Sequence, residues 1–361
     1  MNTAVASSER PSTAGSAPAR SREHAHSPAQ ASLQVSVVMP THKRTDLLDR
    51  CLGALLAQVF DKHAYEIVVV DDAPGDDRDG SPARTLVESV ARQAAAVGGP
   101  AVRYVPNTGP AHGPAAARNR GWQAARAPIV AFTDDDTQPE PQWLAHGVAA
   151  MAPGVDAAWG HVWMPIPAVP TDYERDAKGL EGAEFVTANC FVRRAALARV
   201  GGFDERFRLA WREDSDLHFS LLSAGCTVVP APAARVLHPV RPAPWGVSIS
   251  QQKKAQYDAL LARKHPALYK QRIPGTPWRY YATVAALGVG ALALAAGRPR
   301  AAGVAGAAWA GLTAEFAARR LRGTSKAPAH VAEMIVTSAA IPPLSVFWRL
   351  AGALKFKVPF A

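Results

Sequence analysis

From Val35 onward, short unbroken apolar runs alternate with stretches whose apolar residues recur every three or four positions. That alternation predicts βα units around a mostly parallel open sheet flanked by helices. VSVVMP (35–40) reads as a first buried strand. Residues 46–58 set Leu47, Leu48, Cys51, Leu52, Leu55 and Leu56 on one helical face, and YEIVVVDD (65–72) reads as a second strand closed by two carboxylates. A helix over 83–96, a strand over 102–105, a helix over 115–125 and a strand over 128–133 follow. Beyond them the pattern is less regular. AEFVTANCFVRRAALARVGGFDERF reads as a strand, a short helix and a Gly-Gly turn. In AWREDSDLHFSLLSAG, Glu213, Asp214 and Asp216 open a helix with Leu217, Phe219, Leu221 and Leu222 on its apolar face. TVVPAP (227–232) reads as an edge strand with proline at its end.

Two of these strands end in acids, Asp71/Asp72 and Asp134/Asp135/Asp136. Ligands of open α/β sheets bind beyond the carboxyl ends of the strands, so the two clusters are expected to share one crevice. Acids beside buried strands are costly unless a positive or hydrogen-bonding group meets them. The competing reading makes them loop-start residues that cap the next helix, which suits Asp136 ahead of PEPQWLAHGV and the acids that open 213–223.

Composition narrows the class. Apolar residues are 48% and charged ones 19% of the 361 residues, which fits an α/β enzyme carrying an unusually apolar segment. The net charge of +10 comes mostly from arginines that are scattered, then dense around the C-terminal apolar stretch. This distribution speaks for an anionic membrane surface and against nucleic acid. Three widely spaced cysteines, Cys51, Cys190 and Cys226, indicate neither a disulfide framework nor a CxxC metal site, and point to a reducing cytoplasm. Residues 1–32, rich in Ser, Ala and Pro without the apolar core of a signal peptide, read as a disordered arm whose His24 and His26 are solvated.

VMPTHKR, VVVDD, AAARNRGW, AFTDDD, TANCFVRRAALARVGGFDE and WREDSDL occur in that order between about residues 35 and 238. The series closely resembles the family 2 glycosyltransferases of the GT-A fold, which invert the anomeric carbon of a nucleotide diphosphate sugar. The resemblance implies that Pro40, Thr41 and Arg44 line the nucleoside pocket and that Asp72 accepts a hydrogen bond from the base, with Asp71 a strand-end structural acid. It implies Arg118 and Asn119 near ribose and diphosphate, Asp134 on the ribose, Asp136 as metal ligand, and Asp135 as the ambiguous middle residue of D-x-D. His238 falls where some relatives place a further metal ligand, and it also reads as a loop histidine. Asp214 matches the catalytic base, Glu213 its neighbour, and Asp216 a helix-start acid; Trp211 either walls the sugar pocket or packs in the core. His42 and Lys43 stand where relatives often carry an aromatic residue and Asn. The physical reading agrees, because carboxylates approach a diphosphate only through a divalent cation, and hard oxygen ligands select Mg²⁺ or Mn²⁺.

The expected plan is a disordered arm over 1–32, a catalytic domain over 33–245, a basic amphipathic connector over 246–277 and an apolar helical tail over 278–361. The apolar blocks 281–297, 301–314 and 334–348 are each shorter than the roughly 20 residues of a spanning helix, and the last contains Pro342-Pro343. A helical hairpin in the bilayer, a membrane-surface anchor and helices packed on the domain all remain open. The border Trp278-Arg279-Tyr280-Tyr281 resembles an interfacial belt and favours the membrane. The expectation is an enzyme at the cytoplasmic face of the inner membrane that meets a lipid-linked or glycan acceptor. A nucleotidyltransferase and a catalytically silent nucleotide-sugar binder are the alternatives.

Overall fold

The computed structural model describes residues 32–75, 80–273 and 275–359. The expected arm over residues 1–32, with its two histidines, lies outside the described residues except for Ser32. The strands are β1 (Val35–Thr41), β2 (Tyr65–Asp71), β3 (Ala101–Pro106), β4 (Ile129–Thr133), β5 (Gln138–Pro139), β6 (Ala157–Trp163), β7 (Asn189–Arg193) and β8 (Val228–Leu237). They form one sheet in the order β3-β2-β1-β4-β7-β6-β8-β5.

The first half follows the expectation. Helices α1 (Thr45–Leu56), α2 (Pro82–Ala96) and α3 (Pro114–Ala124) connect β1, β2, β3 and β4, which run parallel. Every residue of β1, β2 and β4 is buried, as strands covered on both faces must be. α3 reaches the sheet through small residues: a Cβ on Gly121 would collide with the Val38 side chain and stand 3.0 Å from Val70. Gly121→Leu is therefore expected to cost about 1–3 kcal/mol through overpacking, read as a lower midpoint in chemical denaturation.

The second half adds antiparallel pairing to the mostly parallel sheet: β7 runs antiparallel to both β4 and β6, while β6 and β8 pair parallel. After α4 (Trp143–Ala150) and β6, the chain turns through α5 (Asp172–Lys178) without crossing back to the far edge, so β7 starts at the end where β6 stopped. A parallel return would need a crossover. β7 leads into α6 (Arg194–Val200), a turn with Gly201 and Gly202 both at positive φ, and then α7 (Glu213–Ser223).

The segment expected as an edge strand over 227–232 is the longer β8, held between β6 and β5. Its prolines are accommodated by a register shift at Gly160/His161, where pairing jumps from Ala231 to Arg235 and Pro232 drops out of the ladder.

The connector forms α8 (Val247–Gln251), α9 (Gln256–Lys264) and α10 (Pro266–Arg272). The tail forms α11 (Trp278–Ala295), α12 (Pro299–Leu321) and α13 (Pro328–Phe356). α11 and α12 pack along each other, and α13 packs on α9, where Phe356 joins Phe207, Phe219, Tyr257, Leu260 and Leu261 in a small core. The third apolar block was expected to be short. It lies instead within a continuous 29-residue helix that contains Pro342 and Pro343. Two prolines remove two helical hydrogen bonds, but Ile341, Pro342, Ser345 and Val346 are buried, and this packing offsets the loss.

Candidate active site

The carboxyl ends of β1, β2 and β4 bring the predicted acids to one edge of the sheet, as the shared-crevice reading requires. Asp71 is structural. It is 1% exposed and accepts from the backbone N–H of Ala73, the Tyr104 hydroxyl and the Ser81 hydroxyl. Asp72 faces a cleft of about 350 Å³ lined by Lys43, Asn107 and His112 among others. Its carboxylate accepts from Asn107 Nδ2 at 2.6 Å and from the N–H of Gly113 at 2.8 Å. Gly113 has φ +109°, and a Cβ there would strike the Arg208 carbonyl, so the approach that lets this N–H meet Asp72 is tied to glycine.

Pro40, Thr41 and Arg44 are not among the residues that line that cleft. β1 lies between β2 and β4, and Thr41 and Arg44 turn toward β4. Thr41 Oγ1 donates to Asp135 Oδ2 at 2.7 Å, and Arg44 Nη2 stands 2.6 Å from Asp135 Oδ1. Pro40 is buried in β1, and Asp135 is fully buried. The middle residue of the triplet is thus a brace, spent on groups that carry its neighbours.

Asp134 and Asp136 face the crevice. Arg118, nearly buried at the start of α3, spans two elements: Nη2 donates to Asp134 Oδ1 at 2.7 Å and Nη1 to Glu213 Oε1 at 3.2 Å. Burial pushes Asp134 up, but Arg118 and His238 outweigh it and hold its carboxyl below the usual range. Asp136 Oδ1 lies 3.7 Å from His238 Nε2, and its Oδ2 lies 3.0 Å from Arg241 Nε. Ligand atoms of Asp134, Asp136 and His238 lie within 4.8 Å of one another. Two carboxylates and an imidazole whose Nδ1 has no hydrogen-bond partner fit a divalent cation of the Mg²⁺ or Mn²⁺ kind.

Across from this cluster, α7 begins with Glu213 and Asp214. Burial and then Asp214 push Glu213 up to about 7, against the pull of Arg118, and burial also raises Asp214. Arg212, just before them, is held at φ +73° and bonds Asp258 of α9 at 2.7 Å, while Arg349 of α13 bonds the other oxygen at 3.2 Å. The start of α7 is therefore tied to connector and tail. A carboxyl raised on folding binds protons that the unfolded chain releases above its ordinary range, so its contribution to stability falls as pH rises from about 4.5 to about 7. Glu213→Gln is expected to melt higher than wild type at pH 8 and to lose that advantage near pH 4.

Asn119 is turned away from the crevice. Its side chain bonds both the N–H and the carbonyl of Phe203 and also Glu205, so it clasps the loop after the Gly-Gly turn. Asp216 is spent on Lys264 at the end of α9 and on His265 just after it. Trp211 is 41% exposed with Lys254 above its ring, which excludes core packing. Arg241 was missed from sequence. Its signal is the spacing in HPVRP, three residues after His238 on the same exit from β8.

Comparison with known proteins agrees with this geometry. Residues 36–201 match the family described as glycosyl transferase family 2, which ends just past α6. The chain carries a family 2 glycosyltransferase domain. It is similar to glycosyltransferase AglE of Haloferax volcanii, 29% identical over 58% of this chain and 67% of that protein. It is also similar to validoxylamine A glucosyltransferase of Streptomyces hygroscopicus subsp. jinggangensis, 27% identical over 65% of this chain and 61% of that protein. A shorter match, 33% identical over 32% of this chain and 38% of that protein, is to N-acetylglucosaminyl-diphospho-decaprenol L-rhamnosyltransferase of Mycobacterium tuberculosis. Among solved structures, the mannosyltransferase of Pyrobaculum calidifontis in complex with GDP-Man and Mn²⁺ superposes with TM-score 0.50 at 22% identity, over 90% of this chain and 87% of that one. That likeness supports the GT-A fold of this glycosyltransferase.

Proposed function

We propose that this glycosyltransferase moves a sugar, with inversion, from a nucleotide diphosphate sugar to a hydroxyl of a cell-envelope or lipid-linked acceptor, using a divalent cation. The observation that carries this reading is the pairing of Asp134, Asp136 and His238 with Glu213 and Asp214 through the single bridge of Arg118. Bound by Asp134, Asp136 and His238, a cation would neutralise charge on the departing diphosphate. The Asn107 and His112 side of the cleft would take the nucleoside against Asp72. Arg118 holds Asp134 ionised and fixes the distance between the donor acids and α7. Asp214 takes the proton of the acceptor hydroxyl as its oxygen bonds to C1, and the C1–O bond to the diphosphate breaks with its electron pair leaving on the diphosphate. A carboxyl raised by burial suits that task near neutral pH. The kcat/KM is expected to fall as pH drops, because Glu213, raised to about 7, takes up a proton beside the base and Asp214, itself raised by burial, loses its charge on further acidification. A pH profile measured at fixed Mn²⁺ checks this.

Membrane association at the cytoplasmic face belongs to the same proposal. Among the described residues, one helix, Pro328–Phe356, is long and apolar enough to cross a membrane by length and composition, and 39% of its apolar window is buried in the protein. Leu287, Val289, Leu292 and Leu294 of α11 and Val304 of α12 are exposed, an arrangement that suits lipid better than water.

The test is a panel of nucleotide sugars with Mn²⁺ or Mg²⁺, scored for the phosphate product. Release of a nucleoside diphosphate supports the proposal. Release of pyrophosphate would indicate nucleotidyl transfer, and no turnover of any donor would indicate a silent binder.

A further inference from the structure

A second cavity, about 710 Å³, lies where α5, the segment after β8 and the ends of α11, α12 and α13 meet. None of its walls belongs to the nucleoside cleft, yet it adjoins the catalytic acids. Arg241 lines it while holding Asp136 at 3.0 Å. Behind the wall, Lys254 lies within electrostatic reach of both Glu213 and the cavity residue Asp176, with its ammonium 5.8 Å from the centre of the Trp211 ring.

The cavity's chemistry is read from which groups are already spent. Two of its three arginines, Arg175 and Arg320, are fully matched. Arg320, 7% exposed, donates to Asp172 Oδ2 at 2.8 Å and also to Thr337, Ser338 and Ser248. Arg175 pairs with Asp172 at 2.8 Å, and Arg241 with Asp136. The unspent groups are of another kind. Among the described residues, the carboxylate of Asp176 makes no hydrogen bond or ion pair, and the amide of Gln251 makes no hydrogen bond. His330 is 7% exposed, and its Nδ1 has no hydrogen-bond partner, the nearest Glu333 oxygen being 3.7 Å away. Trp245, 56% exposed, supplies an aromatic face, and Tyr280 another.

A phosphate is bound by several free guanidinium, ammonium or N–H donors together, and of this cavity's three guanidinium groups Arg175 and Arg320 are committed while Arg241 spends its Nε on Asp136. A saccharide is bound by carboxylate, amide and imidazole groups that exchange hydrogen bonds with neighbouring hydroxyls, and by aromatic faces against its C–H groups. The unspent set matches the saccharide.

We infer that this cavity is the acceptor site and that the acceptor group it takes is a saccharide, so that the enzyme extends an existing sugar rather than glycosylating a phosphate. This assignment rests on the glycosyltransferase reading. Asp176 and Gln251 hold the acceptor sugar's hydroxyls, Trp245 and Tyr280 flank its ring, and Arg241 is the border between acceptor and donor. Phe316, Met334 and Ile341 continue the wall toward the apolar helices, so a saccharide on a lipid and a free one share this entrance.

The test uses the full chain, without metal or nucleotide, in saturation-transfer NMR and calorimetric titration. The probes are octyl β-glucoside, octyl β-galactoside and octyl β-N-acetylglucosaminide below their micelle concentrations, the corresponding methyl glycosides, and octyl phosphate. At least one octyl glycoside is expected to bind without competition from octyl phosphate. Asp176→Asn and Gln251→Ala, whose side chains make no hydrogen bond or ion pair among the described residues, are each expected to weaken it about tenfold with an unchanged melting temperature. Equal binding of the matching methyl glycoside assigns a free saccharide, and loss of binding without the octyl chain assigns a lipid-linked one. Competition by octyl phosphate, binding unaltered in both variants, or no binding by any glycoside overturns the inference. Donor turnover is read separately. Glycoside binding without nucleoside diphosphate release defeats the functional reading, and release without binding at this cavity defeats the acceptor assignment alone.

Discussion

Replacing Asp214 by Asn is expected to lower kcat by about 10²–10⁴-fold, the usual worth of a positioned general base, while nucleotide affinity stays within a few-fold of wild type. The expectation follows from position. Asp214 stands in the first turn of α7, its Oδ1 accepts the N–H of Ser215 at 2.6 Å, and it is not one of the Asp134/Asp136/His238 group. Removing its charge leaves the donor ligands intact and takes away only the proton acceptor. The diagnostic result is the split itself: single-turnover rates collapse while the dissociation constant for the nucleoside diphosphate with Mn²⁺ does not move. A parallel loss of both would mean that Asp214 serves the donor side.

The second large effect is expected at Arg118. Its guanidinium is buried between Asp134 and Glu213 and cannot be replaced by water. Arg118→Met strands the buried carboxylate of Glu213 and the half-buried one of Asp134, and breaking such a bridge from one side costs about 3–5 kcal/mol. Arg118→Lys keeps a charge but loses the planar fork that reaches both acids, so it is expected to fall between wild type and Met. Chemical denaturation measures the loss of stability. Turnover of the Lys variant at a temperature where it is folded measures the loss of alignment between donor acids and α7.

Much of the site was legible before any coordinates, for a physical reason. Strands buried on both faces leave continuous apolar runs, and acids that follow such runs must lie at strand ends, which is where Asp72, Asp134 and Asp136 are found. Strand direction was less legible. Whether β7 runs parallel or antiparallel depends on whether α5 carries the chain back across the sheet, and nothing local to β7 encodes that. Thr41, Arg44 and Asn119, which the resemblance puts with the nucleotide, each hold a protein partner that is not legible locally, because the neighbour available to a side chain at a strand end depends on sheet order. Pro342 and Pro343 hid the length of α13 for a similar reason, since the burial that tolerates them comes from segments distant in sequence.

The central claim is that the acids at the strand ends hold a divalent cation against a nucleoside diphosphate. Calorimetric titration of UDP, GDP and dTDP, with Mn²⁺ and with EDTA, tests it on wild type, Asp136→Ala and Asp214→Asn. The account predicts that one nucleotide binds only with Mn²⁺, that Asp136→Ala abolishes this binding and that Asp214→Asn retains it. Equal affinity in EDTA, or full affinity in Asp136→Ala, would contradict it.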